Sequence, residues 1–221
     1  MKTLIFSDTH LSNSFDEHHF NALTSVISDA DQVIINGDFW DVYLTSFDDF
    51  LASEWQKLFP LLKQKNALYL YGNHDKPEYT DERVALFSST QAFEHSFVES
   101  EKAYTVMHGH LHVPEFDDKF PRLADKFSKH YPKLDKIKKK QTAIGKISRK
   151  FDSKYRKRLH KKLVLYANQR ESDDILICGH THFRSVDDSK KYINPGDFRN
   201  GWARYVLIEN DQLTVVEERY T

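Results

Sequence analysis

Five times along this chain a short apolar run breaks off into a turn rich in Asp, His, Asn and Gly. The run Ala67-Leu68-Tyr69-Leu70-Tyr71 stops at Gly72-Asn73-His74-Asp75, and its length and aromatic content are those of a buried strand. Thr3-Leu4-Ile5 leads into Phe6-Ser7-Asp8-Thr9-His10, and Gln32-Val33-Ile34-Ile35 into Asn36-Gly37-Asp38-Phe39-Trp40-Asp41. Ala103-Tyr104-Thr105-Val106 leads into Met107-His108-Gly109-His110, and Ile175-Leu176-Ile177-Cys178 into Gly179-His180-Thr181-His182. Loops at strand ends commonly carry function, so five such ends can converge on one site.

The segments between these runs alternate with them. Asp16 to Asp29 places Phe20, Leu23, Val26 and Ile27 at helical spacing, a stripe suited to packing on a sheet. From Ser46 to about Lys65 a second helical face carries Phe50, Leu51, Trp55, Leu58, Leu61 and Leu62, with Pro60 predicted to kink or divide it. Strand, helix, strand, helix, strand in that order predicts a sheet wound by right-handed crossovers. Thr80 to Ser88 reads as a short helix, and Phe93 to Glu99 with Lys102 to Met107 as paired strands. Ala203 to Glu209 and Gln212 to Glu218, joined by Asn210-Asp211, close the chain as an antiparallel hairpin.

At 221 residues and 39% hydrophobic, the chain has enough material for one sizeable core. It is read as one domain, 1–221, with an insertion at 113–170. No apolar run approaches the roughly 20 residues of a membrane helix. The apolar part of Met1-Lys2-Thr3-Leu4-Ile5-Phe6 is too short for a secretory signal, so the expected location is cytoplasmic, peripheral to a membrane if the insertion binds one. Cys178 is alone in an apolar strand and reads as an inert core thiol.

The net charge of -1 hides a strong asymmetry: eighteen Lys or Arg face three acids between Lys119 and Lys162. Within the insertion Phe120, Leu123 and Phe127, then Leu134 and Ile137, then Ile144, Ile147, Phe151 and Tyr155, then Leu159, Leu163 and Tyr166 keep helical spacing. Two or three amphipathic basic helices are predicted, either as a lid beside the site or as a lysine-rich cover. An anionic phosphoester substrate, a nucleic acid or an anionic membrane surface would each suit residues 119–162.

Asp8, His10, Asp38, Asn73, His108, His180 and His182 together offer carboxylate, amide and imidazole groups, a set suited to borderline divalent metals. One Asp or His at a strand end is ordinarily a cap or turn residue; seven at five strand ends are a ligand set. They exceed one tetrahedral site, whereas two metals about 3.5 to 4 Å apart would use them all. Gly37, Gly72, Gly109 and Gly179 each adjoin a candidate ligand and are expected to supply turn conformations that other residues resist. His110 and His112 read as loop residues.

The ordered set Asp8-x-His10, Gly37-Asp38-x-x-Asp41, Gly72-Asn73-His74-Asp75, His108 and Gly179-His180-x-His182 resembles the calcineurin-like metallophosphoesterases. The resemblance implies a four-layer α/β/β/α sandwich carrying a basic helical insertion. It implies two divalent ions, manganese first, with iron, zinc, cobalt or nickel as alternatives. Asp8, His10 and His182 would hold one, Asn73, His108 and His180 the other, with Asp38 bridging and a bridging hydroxide as nucleophile. His74 would stabilise the transition state or protonate the leaving oxygen, with Asp75 or Asp41 orienting it. Arg199, beyond the Asn194-Pro195-Gly196 turn, is a candidate phosphate contact. An insertion between the fourth and fifth motifs is similar to UDP-2,3-diacylglucosamine diphosphatases, although those carry arginine where this chain has His74. The expected function is hydrolysis of a pyrophosphate-linked or phosphodiester substrate, such as a UDP-sugar lipid or nucleotide; the alternatives are a nuclease and a metal-free binding scaffold.

Overall fold

In β1 (Thr3–Phe6) Leu4 and Phe6 belong to one interior and Ile5 to another, as the two-residue period of a strand requires when both faces are covered. The same split runs through β2 (Gln32–Asn36), where Val33 and Ile35 join Leu4 and Phe6 while Ile34 joins Ile5. The computed structural model describes residues 1–114, 143–187 and 191–221. Two sheets account for the alternation.

The first sheet has the order β11-β10-β1-β2-β3-β4, with β3 at Leu68–Leu70, β4 at Thr90–Ala92, β10 at Trp202–Glu209 and β11 at Gln212–Arg219. Its β1-β2-β3-β4 part is parallel, and β10 and β11 add antiparallel strands. The second has the order β5-β6-β7-β9-β8: β5 (Glu94–Glu99), β6 (Lys102–Met107), β7 (Ile175–Cys178), β8 (Ser185–Asp187) and β9 (Tyr192–Asn194). Within it β6, β7 and β9 are parallel, flanked by antiparallel β5 and β8.

Among the described residues, three cores separate the layers. Ile5, Ile34, Leu70, Val106, Ile177 and Val206 fill the space between the sheets. Leu23 and Ile27 of α1 (Glu17–Ser28), Phe50 of α2 (Phe47–Ala52) and Leu62 of α3 (Phe59–Gln64) cover the outer face of the first sheet. Leu159 and Leu163 of α4 (Ala143–Gln169) cover Met107, Leu176, Cys178 and Tyr192 on the second. The arrangement is the mixed α/β sandwich expected. Among the described residues no helix is long and apolar enough to cross a membrane.

The structure refines several elements. The segment from Ser46 to Lys65 breaks at Ser53, not at Pro60. The Ser53 hydroxyl bonds to Phe50 O at 2.6 Å, ending α2, and accepts from Trp55 N as cap of a 3-10 turn over Glu54–Leu58. Pro60 stands in the first turn of α3, where its missing N–H is no loss. The stretch from Thr80 to Ser88 holds a 3-10 turn, Glu82–Leu86, rather than an α-helix. Strands β4, β8 and β9 are additional, and at three residues each they are too short for periodicity to reveal. Of the predicted insertion helices α4 is described; the apolar positions from Phe120 to Ile137, and the whole basic segment 119–142, lie outside the described residues.

Buried aromatics pin the motif loops. Phe39 and Trp40, which lie between Asp38 and Asp41 in the chain, are fully buried and pack on Phe50 with ring centroids 5.8 and 5.9 Å away. Phe50→Ala removes the ring both rest on and is expected to destabilise the fold by about 3–5 kcal/mol, read as a lowered urea midpoint at unchanged slope.

Candidate metal centre

The parallel strands β1, β2, β3, β6 and β7 end at one edge of the sandwich. Backbone bonds tie the turns that follow: Asp8 N to Gly37 O at 3.1 Å, His10 N to Asp38 O at 2.9 Å, and Gly179 N to His108 O at 3.2 Å. The candidate ligands themselves take the turn conformation. Asp8, His10, Asp38, His180 and His182 have φ of 57°, 46°, 53°, 69° and 51°. Left-handed backbone costs an L-residue on the order of 1–2 kcal/mol, and its concentration here marks a functional constraint.

Two of the glycines serve a different purpose from the one expected. Gly72 and Gly179 lack positive φ; they are there for space. A Cβ on Gly72 would stand 2.1 Å from Asp38 Oδ1, and one on Gly179 would stand 2.5 Å from Ser7 Oγ and 2.6 Å from Asp8 Oδ2. Each glycine lets a carboxylate lie directly against the neighbouring strand end.

Asp8, His10, Asp38 and His182 each offer an atom within 4.8 Å of the others. His182 Nε2 is 3.0 Å from Asp8 Oδ1 and 3.1 Å from His10 Nε2, which in turn is 3.6 Å from Asp38 Oδ2. Beside them His108 Nε2 is 3.3 Å from Asp38 Oδ2, and His180 Nδ1 is 3.0 Å from Asn73 Oδ1. The far nitrogens of three rings are engaged: His10 Nδ1 with Asp41 Oδ2 at 2.9 Å, His108 Nδ1 with Asn36 O at 2.8 Å, and His180 Nε2 with Val113 O at 2.8 Å. Such bonds fix ring orientation and leave the other nitrogen as a donor atom.

The electrostatics fit cations. Burial, together with Arg199 for His10 and with Arg156 and Arg199 for His182, pushes both imidazoles down, His10 to about 4; burial and His108 do the same to His180. Neutral imidazole is the metal-binding form. Burial raises the Asp8 carboxyl to about 7 even though His108 opposes it, and Asp38 adds to the rise. His108 behaves oppositely: burial disfavours its charge, but the Asp38 carboxylate overrides this and holds it up to about 10. A proton on His108 thus balances Asp38, whose Oδ2 is 3.3 Å from His108 Nε2. The donor set is chemically compatible with a metal site.

His74, Asp41 and Asp75 separate into two kinds of group. His74 N donates to Asp38 Oδ1 at 2.9 Å, and its Nδ1 is 3.1 Å from the same Asp41 Oδ2 that engages His10. These imidazoles keep Asp41 well below the usual carboxylate range against the opposing effect of burial. Asp75 stands apart from this pair: it accepts from Phe39 N and from Gly72 N, each at 2.7 Å, and so fastens the β2 and β3 loops together. It holds the site's backbone rather than His74.

Arg199 reaches His182, its Nη2 2.9 Å from Nδ1, while its Nε bonds to Asp197 Oδ2 at 3.2 Å. Asp197 was not singled out from sequence, and neither was Asn194, whose amide donates to Gly179 O at 2.6 Å while its Oδ1 accepts from Gly196 N at 2.9 Å. The Asn-Pro-Gly turn was the available signal for Asn194; nothing local marked Asp197.

Asp41→Asn removes the negative charge shared by His10 and His74 while preserving shape. Divalent-metal affinity, measured by titration against a fluorescent chelator, is expected to fall about 10–100-fold with secondary structure unchanged.

The molecule is similar in fold to a phosphoesterase from E. coli, Yfce, with 17% identity, 100% of each chain covered and a TM-score of 0.51. It is also similar to a Vps29 single mutant from Entamoeba histolytica, with 14% identity, 100% of each chain covered and a TM-score of 0.47. No curated protein matches the chain. The family model described as calcineurin-like phosphoesterase matches residues 1–184, which span the five strand-end motifs from Asp8 to His182. The chain belongs to the calcineurin-like phosphoesterase family.

Proposed function

We propose that the chain is a metal-dependent phosphoester hydrolase acting on a phosphodiester or pyrophosphate-linked substrate, such as a nucleotide or a UDP-sugar lipid. The observation that carries this reading is the convergence of Asp8, His10, Asp38 and His182 within 4.8 Å, with Asn73, His108 and His180 alongside. Asp8, His10 and His182 would hold one divalent ion and Asn73, His108 and His180 another, with Asp38 shared; manganese is the expected occupant. Bound there, such ions neutralise phosphate charge and bring the pKa of water from 15.7 toward about 7.

The remaining chemistry belongs to side chains. The His74 side chain is 14% exposed, against 3% for His10 and 0% for His108, so it is the more accessible to substrate. With Nδ1 3.1 Å from Asp41 Oδ2, His74 would donate from Nε2 to the leaving oxygen, and the ionised Asp41 would stabilise the imidazolium. Arg199 donates to His182 Nδ1, which puts that ring's proton on Nε2, toward Asp8. Were Nε2 to hold an ion, the ring proton would sit on Nδ1, which is 4.0 Å from Asp197 Oδ2. Arg199, whose Nε is 3.2 Å from Asp197 Oδ2, would then contact a substrate phosphate. The insertion at 113–170 is read as part of the same unit, since α4 packs on the second sheet.

Hydrolysis of bis(p-nitrophenyl) phosphate is expected in manganese and is expected to vanish with a chelator; absence of turnover with every phosphoester offered would favour the binding-scaffold reading. A panel of UDP-diacylglucosamine, dinucleotides and oligonucleotides separates the substrate classes. Asp38→Asn is expected to lower the metal content, counted by elemental analysis, from two ions per chain. His74→Ala is expected to keep that content while losing about 100-fold or more in kcat.

A further inference from the structure

The turn at residues 109–113 is more than a connection. His112 N and Val113 N both donate to Gly109 O, at 3.2 and 3.1 Å, and Val113 O holds His180 Nε2 at 2.8 Å. The turn is therefore fastened to a candidate ligand. His110 within it is 5% exposed, its ring 5.5 Å from that of His108 and 6.4 Å from that of His180. Its Nδ1 has no hydrogen-bond partner among the described residues, an unfavourable state for a buried polar atom.

His110 also lines a cleft of about 320 Å³, together with Phe93, Glu94, Met107, Leu111 and His112. The cleft is thus linked to the candidate ligands through His110, which lines it and lies beside the His108 and His180 rings. Phe93 and Leu111 are 45% and 62% exposed, an apolar rim beside an otherwise polar site, and His112 is held flat against Tyr166 of α4 at 3.9 Å. The volume is near the lower end of small-ligand sites, roughly 300–1,000 Å³, room for one ring system. Three of its walls are rings, which favour a planar occupant. Glu94 disfavours a second phosphate and offers an acceptor to the N–H edge of a heterocycle.

We propose that this cleft receives the nucleobase of a nucleotide substrate, with His110 placed between the base pocket and the phosphate end. The inference rests on the hydrolase reading for the orientation of the substrate, and the binding measurement separates the two. Binding of AMP, UMP, phenyl phosphate and ribose 5-phosphate is measured by saturation-transfer NMR and calorimetry on the magnesium-loaded full chain. The wild type is expected to hold the nucleotides about 10-fold tighter than ribose 5-phosphate, with saturation strongest on base protons. Leu111→Asp, at an exposed position compatible with folding, and His112→Ala should abolish that preference and leave ribose 5-phosphate affinity unchanged.

Equal affinity for AMP, UMP and ribose 5-phosphate, or a base preference that survives both substitutions, overturns the proposal. So does phenyl phosphate binding as tightly as the nucleotides, which would make the cleft a general apolar pocket. If no phosphoester is turned over but the base preference is present and lost in Leu111→Asp, the cleft stands and the hydrolase reading falls. If phosphodiesters with and without a base are cleaved with the same KM, the hydrolase reading stands and the cleft falls.

Discussion

The Asp38 carboxylate is a point at which the two sheets of this molecule meet chemically. Asp38 lies at the end of β2 in the first sheet, and its Oδ2 is 3.3 Å from His108 at the end of β6 in the second. The same carboxylate is 3.6 Å from His10 and accepts from His74 N at 2.9 Å, so four strand-end loops are referenced to it. Gly72 leaves the space it occupies. A fully buried carboxylate is tolerable only when charge and hydrogen bonds compensate its lost hydration. His108 supplies the first, and the backbone of β3's loop the second. Placing such a group at the seam makes the stacking of the sheets and the assembly of the site a single requirement.

That requirement carries a conformational cost, and the cores below the site offset it. Five site residues hold left-handed backbone, each a local conflict with intrinsic preference. Around them the packing leaves little freedom. Phe6, Phe39, Trp40 and Tyr69 are fully buried immediately before or between the polar turn residues, so the polar side chains have few alternative positions. The hydrophobic layers therefore act on function through geometry: they over-determine the turns and keep the His10, His180 and His182 imidazoles where burial leaves them neutral.

Much of this was legible from the sequence because it follows from local pattern. The layered sheet arrangement, the ends of β1, β2, β3, β6 and β7, the closing hairpin and the convergence of Asp8, His10, Asp38 and His182 all trace to apolar runs interrupted by metal-type residues. What escaped depends on contacts distant in sequence. Strands β4, β8 and β9 are defined by their partners, not by their composition. Ser53 acts as both stop and start because its hydroxyl meets two backbone groups. The glycines were expected to supply left-handed turns, whereas Gly72 and Gly179 are dictated by a carboxylate or a hydroxyl on another strand. Asp197 is far in sequence from His182 and is linked to it through Arg199, a connection no spacing reveals.

Asp41 and Asp75 show why residue type and position alone do not assign a role. Both are buried aspartates a few residues beyond a strand end, and by sequence both are candidates to orient His74. Their partners divide them. Asp41 faces two imidazoles, so its charge is matched by groups that change protonation, and its carboxylate falls below the usual range. Asp75 faces backbone amides, with Asp38 nearby; burial and that second carboxylate raise it to about 6 despite the amide bonds. A carboxylate beside imidazoles can follow a proton during a reaction, whereas one saturated by amides holds its loops in place. The difference is produced by where β2 and β3 set their turns relative to His10 and His74, which links the register of the first sheet to the chemistry at its edge.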